Sequence, residues 1–121
     1  MNEKSFSDSL FKSLEGRELA GITFVRDYIQ FLFDGPILSA YTLPQVTIAN
    51  AILNHDTPGY RDALCAQIGK TIAVAHEELN QRLFFQFCDQ TVISISLKDD
   101  DRVCAESAML QADGGKQWNV W

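Results

Sequence analysis

Basic residues, histidines and paired cysteines are all scarce in this chain, and each scarcity removes a class of function. Ten Lys and Arg stand against sixteen Asp and Glu, for a formal net charge of −6. Nucleic acids and anionic membranes are bound by clustered cations that displace counterions from phosphates, so neither is an expected partner. Of the two histidines, His55 and His76, neither has a second His, Cys or carboxylate at helical i+3 or i+4 spacing, so no metal ligand set is read. The cysteines, Cys65, Cys88 and Cys104, are odd in number, widely spaced and without a Cys-x-x-Cys pair. That usage predicts free thiols and a reducing compartment. No apolar run approaches the length of a membrane span. The opening MNEKSFSDSLFKSLEG lacks the apolar core and small-residue cleavage site of a secretory signal, so a cytoplasmic location is expected. Gly114-Gly115 lacks the strand-to-helix context of a phosphate loop, and no cofactor is read.

What is present is the composition of a globular protein: 46% hydrophobic and 21% charged residues over 121 positions, enough for one domain spanning 1–121 with its own core. A helix is predicted over Ser7 to Glu15, with Ser5 or Ser7 as its cap and Asp8 in its first turn. Phe6, Leu10, Phe11 and Leu14 share one face, and Gly16 stops it. Strands follow over Leu19 to Val25, Tyr28 to Phe33 and Ile37 to Thr42, the last two joined at Asp34-Gly35. Pro44 interrupts the pattern, and Gln45 to Ala49 reads as a separate strand. After the loop at 54–59, a second helix starts at Thr57-Pro58, buries Tyr60, Leu64, Cys65 and Ile68, and stops at Gly69.

The strand pattern then resumes over Thr71 to Glu77, Arg82 to Phe87 and Val92 to Leu97, where Ile93, Ile95 and Leu97 oppose Ser94 and Ser96. Lys98 to Arg102 is a charged loop. Ala105 to Leu110 is read as one or two helical turns, and Gln117 to Trp121 as a short strand. Laid on itself at an offset of 54, the chain pairs Leu10 with Leu64, Leu14 with Ile68, Ile29 with Leu83, Phe31 with Phe85 and Phe33 with Phe87. Gly16 and Gly69 miss by one position. The expected fold is therefore α+β: two helix-then-antiparallel-β-meander halves, about 5–50 and 57–97, with both helices on one side of the sheet. Residues 98–121 would extend it with a helical turn and a strand lacking any counterpart in the first half.

No Ser or Cys stands in a recognisable arrangement with a base, and Asp99, Asp100 and Asp101 are consecutive in a loop, so a non-enzymatic role is expected. Trp118 is assigned to the core and Trp121 to the chain end. Four stretches, Ile22 to Tyr28, Phe33 to Pro36, Tyr60 to Cys65 and Trp118 to Trp121, look like those of small bacterial α+β proteins of similar length. In size, charge and lack of catalytic motifs the chain resembles immunity proteins, which neutralise toxins delivered between competing bacteria. The resemblance implies an inhibitor that binds a toxin domain, and no functional residue carries over from it. An acidic site is expected at Asp99, Asp100 and Asp101, with Glu77 and Glu78 beside it. Arg26, Asp27, Tyr28 and Trp121 are further contact candidates for a basic protein partner. The alternatives are a homodimeric structural or small-ligand-binding protein, and an enzyme using one of the three thiols.

Overall fold

Alternating burial, not helical periodicity, dominates the molecule. Its structure, a computed structural model, describes residues 10–121. The strands are β1 (Gly21–Phe24), β2 (Ile29–Leu32), β3 (Ile37–Ala40), β4 (Gln45–Ile48), β5 (Ala51–Leu53), β6 (Ile72–Glu78), β7 (Arg82–Phe87), β8 (Val92–Ser96), β9 (Ala108–Ala112) and β10 (Gln117–Val120). Helix α1 (Tyr60–Cys65) lies between β5 and β6, and residues 10–12 form a helical turn. The strands make two antiparallel five-stranded sheets, ordered β1-β2-β3-β9-β10 and β5-β4-β8-β7-β6. The expected α+β fold of two helix-then-meander halves is thus overturned: the protein is mostly β, with short helical segments.

Three local causes account for the correction. Helix α1 is only six residues long, and the turn after it buries Gln67, not Cys65 or Ile68. Gln67 is held there by its Nε2–H bond to the Ala63 carbonyl and by Lys70 Nζ, which donates to its Oε1 at 2.9 Å. The helix also packs against β1 of one sheet and β4 of the other, not on one side of a single sheet. Finally, the stretch read as helical near Ala105 to Leu110 contributes strand β9. Ala108, Leu110 and Ala112 alternate inward there and pair along β3, so tertiary pairing overrides the helix propensity of Ala, Met, Leu and Gln. The predicted cap Ser5 or Ser7, together with Phe6 and Asp8, lies outside the described residues.

Each sheet is a three-strand meander completed by a hairpin from elsewhere in the chain. Hairpin β4–β5 leaves the first meander and pairs on β8, while hairpin β9–β10 leaves the second and pairs on β3. Residues 98–121 therefore supply the counterpart of β4–β5, reached by a longer crossover. Hydrogen bonds show the same reciprocity. Gly16 N–H donates to Ile72 O and Gly69 N–H to Leu19 O; Leu19 N–H donates to Lys70 O and Ile72 N–H to Arg17 O. These pairs interchange at an offset of 53, about an axis at the Glu18–Thr71 bridge. A bulge between Ile72 and Val74 inserts one residue, so the offset becomes 54 in β2 and β7 and the glycine mismatch disappears. With the helical offset at 53, Phe11 matches Leu64 and Leu14 matches Gln67, all four buried.

The core lies between the sheets. Phe31, Phe33 and Phe87 all place their rings edge-on to Phe85, with centroids 5.4 to 5.8 Å away. Hairpin β2–β3 turns through Asp34 (φ 57°) and Gly35 (φ 128°), the left-handed pair that suits the twist of the flanking strands. On the edge strand β6, the Glu15 carboxylate accepts the Ala75 N–H at 3.0 Å. That bond, reinforced by Lys12, holds the Glu15 carboxyl below its usual range. Trp121 reverses expectation: it packs edge-on to Phe11 and is pinned by main-chain bonds to Ala108 and Ser107, whereas Trp118 is 58% exposed. Among the described residues, no helix is long and apolar enough to cross a membrane.

Candidate functional site

The β2 and β7 strands run from the bridge end of the sandwich, at Phe33 and Phe87, to an opposite end where Tyr28 and Arg82 stand. Both crossovers between the sheets, Tyr41 to Pro44 and Leu97 to Ser107, pass near this second end. Together they frame an open cleft of about 1120 Å³. The first half lines it with Arg26, Asp27, Tyr28, Tyr41, Thr42, Leu43, Gln45, Asn54 and His55. From the second half come Glu78, Gln81, Arg82, Ser94, Ser96, Lys98, Asp101, Val103 and Cys104. Buried Tyr60 supports the first crossover by donating its hydroxyl to the Pro44 carbonyl, and burial pushes its phenol pKa up.

Local structure explains how each side chain reaches the cleft. Tyr28 and Tyr41 stand one position beyond the last β2–β3 rung, Ile29 with Ala40, and their rings lie 5.4 Å apart, tilted by 56°. Arg82 and Ser96 occupy the corresponding rung of β7 and β8, where strict alternation buries Leu83 and Ile95 and turns their neighbours away from the core. The Arg82 guanidinium lies over the Phe84 ring at 4.5 Å and pairs with Glu78 Oε1 at 3.1 Å.

Of the nine contact candidates, Arg26, Asp27, Tyr28, Glu78 and Asp101 line the cleft, while Asp99, Asp100, Glu77 and Trp121 do not. Glu77 pairs across from Leu83 and Glu78 across from Arg82, so adjacent glutamates face opposite sides of β6. The acidic run is a single 3-10 turn with internal partners. Asp101 accepts the Ser96 hydroxyl, and Asp99 lies 3.6 Å from Arg102 Nε, whereas the Asp100 carboxylate has no hydrogen-bond or ion-pair partner among the described residues. Tyr41, Leu43, Arg82 and Lys98 also line the cleft and lie outside the contact residues that the sequence suggests. Tyr41 carried a signal, as an aromatic near an element end; the other three converge only through the crossovers.

The cleft can hold a partner by stacking, ion pairing and hydrogen bonding. Arg26 and Lys98 have no side-chain partner among the described residues, and neither do the hydroxyls of Tyr28 and Tyr41. Cys104 donates its thiol to the Glu106 carbonyl at 3.1 Å, and His55 Nε2 lies 3.4 Å from Asp56. Among the described residues no three His, Cys, Asp or Glu side chains converge as metal ligands. No family model matches the chain, no curated protein matches it, and no solved structure matches it.

Proposed function

We propose that this chain is a non-enzymatic protein-binding module of the toxin-inhibitor kind, acting in the cytoplasm, whose partner docks in the crossover cleft. One observation carries the reading: segments distant in sequence bring two tyrosines and two arginines into one open cleft. Tyr and Arg are the residue types that concentrate binding energy at protein interfaces. The cleft, of about 1120 Å³ and open to solvent, is wide enough to admit a segment of a protein partner. The net charge of −6 steers encounter with a basic toxin domain over long range. Titration of the purified chain against such a domain tests the proposal. Tyr28→Ala or Arg82→Ala should weaken the complex by a factor of ten or more, and replacement of Asp99, Asp100 and Asp101 by Ser should chiefly slow association. Full affinity in both cleft variants would remove the cleft assignment.

A second reading, self-association, is favoured by the sheet edges. Edge strands β5 and β10 present Ile52 (63% exposed) and Trp118 (58% exposed) at corresponding hairpin positions, opposite Thr47 and Gln111. Sedimentation that is independent of concentration, and unchanged by Trp118→Lys, would dispose of it.

A further inference from the structure

The sheet edges differ in what they leave open. On β6 the Glu15 carboxylate takes the Ala75 N–H, and a bulge between Ile72 and Val74 interrupts the strand. Helix α1 packs against β1, with the Arg61 guanidinium over the Phe24 ring. The edges made by the closing hairpins, β5 and β10, carry no comparable guard among the described residues. Main-chain polarity separates these two. Trp121 and Ala108 exchange both their N–H and C=O bonds, so alternation turns the N–H and C=O groups of Trp118 and Val120 away from β9. The Val120 carbonyl takes a long bond from Asn119 Nδ2, at 3.5 Å, and keeps a second lone pair. In β5 the Ile48–Ala51 pair closes a tight turn, which leaves Ile52 alone facing outward. Strand β10 thus offers the longer row of open groups, and its side chains suit a dry contact. Gln117, Trp118, Asn119 and Val120 carry no charge, and neither do Met109 and Gln111 beside them. Lysine, inward charge or proline ordinarily blunts such an edge, and β10 has none of them.

We propose, resting on the self-association reading above, that β10 pairs with β10 of a second copy of this chain as a closed antiparallel dimer. Trp118 stands opposite Val120 of the second copy, and Val120 opposite its Trp118. Each of these rungs exchanges both N–H···O=C bonds, and each indole, 58% exposed in the single chain, lies against the facing valine. Charge argues for this occupant. At −6 each, two copies repel over long range, yet the strands that meet carry no charge, so no ion is desolvated or set against its like. A basic partner finds no counter-charge on β10. Symmetry argues for it too. The two-fold pairing uses both outward residues of both copies and closes, whereas β5 against β10 sets one outward residue against two and leaves further edges open. The contact is short, in the size class of transient interfaces.

Sedimentation velocity of the full chain up to millimolar concentration, at low and high salt, tests the proposal together with amide hydrogen exchange. A monomer–dimer equilibrium should appear and tighten as salt screens the repulsion, and exchange at Trp118 and Val120 should slow as the dimer fills. Trp118→Lys, on an exposed side chain, should weaken the dimer about ten-fold or more. Val120→Pro removes an outward N–H and should do the same, with circular dichroism verifying its fold; Trp118→Lys carries the test if it does not fold. Ile52→Lys should leave the dimer unchanged. Association lost in Ile52→Lys but kept in Trp118→Lys would overturn the β10 assignment while leaving self-association in place. So would a dimer that weakens with salt, or a species that grows beyond a dimer. A concentration-independent monomer at both salt concentrations would overturn both.

Discussion

The two ends of the sandwich treat the pairing of the halves in opposite ways. At the bridge end, Gly16 and Gly69 take left-handed conformations, φ 86° and 95°, and the four bonds around Glu18–Thr71 interchange under one offset. Main-chain geometry alone sets that contact, so side chains there are free to differ: Arg17 stands for Lys70, and Glu18 for Thr71. At the cleft end the halves meet through the exchanged hairpins, β9 on β3 and β4 on β8, and the crossover bonds from Tyr41 and Thr42 N–H to Ser107 O belong to one side. The crossovers are unequal in length, and corresponding positions carry tyrosine on one side and arginine or serine on the other. Side chains that point out of the ladders into the open cleft are free to diverge, while the main-chain pairing beneath them is kept.

Several substitutions bear on that contrast. The largest effect belongs to Phe85, which is fully buried and touches Phe rings from both sheets. Phe85→Ala should cost about 3–5 kcal/mol. Urea unfolding followed by tryptophan fluorescence and by circular dichroism should show one shared transition, and separated transitions would mean that the two ends are held independently. Gly16→Ala and Gly69→Ala come next. An added Cβ meets nothing within 4 Å at either site, so only the left-handed φ is strained, at about 1–2 kcal/mol. Equal losses in the two variants would confirm the equivalence of the bridge-end glycines, and unequal ones would break it.

At the cleft end, Tyr60→Phe leaves the Pro44 carbonyl without its hydroxyl donor and should cost about 1 kcal/mol. The loss should appear in the equilibrium midpoint and as faster amide exchange in the first crossover. The smallest effect concerns Glu15, whose carboxyl the Ala75 N–H holds below its usual value of 4.5. Its contribution is complete above the unfolded-state pKa and disappears as pH falls through the lower folded value. Glu15→Gln should therefore flatten the acid limb by lowering stability near neutrality while leaving it little changed below the folded-state pKa. An unaltered acid limb would show that the carboxylate does not guard the β6 edge.

Strand identity in the meanders was legible from sequence because alternation is a local consequence of pleat. Leu83, Phe85 and Phe87, with Ile93 and Ile95, are buried where the pattern places them. The hairpin at Asp34-Gly35 was equally readable, since few residues tolerate its left-handed backbone. Part of the candidate cleft was visible too, because Arg26, Asp27 and Tyr28 stand together at a strand connection. The helix content was overestimated because amphipathic spacing in 60–68 resembles a longer helix than the packing accommodates. Strand β5 and the strand character of β9 are not legible in the sequence, since three exposed-to-intermediate residues and an Ala-Met-Leu-Gln-Ala run carry little local β signal.

The sequence by itself determined which residues alternate, where the chain must turn with positive φ, and that the protein carries an excess of negative charge. These are properties of single residues and near neighbours. Only the tertiary structure decided that each closing hairpin leaves its own meander to complete the other sheet. An unpaired strand edge offers the same N–H and C=O groups to any partner, so the choice between edges depends on which apolar faces can be buried together. That exchange carries the crossovers past the same end of the sandwich. It thereby places Tyr41 and Leu43 across from Arg82 and Lys98, residues separated by dozens of positions along the chain, around one cleft.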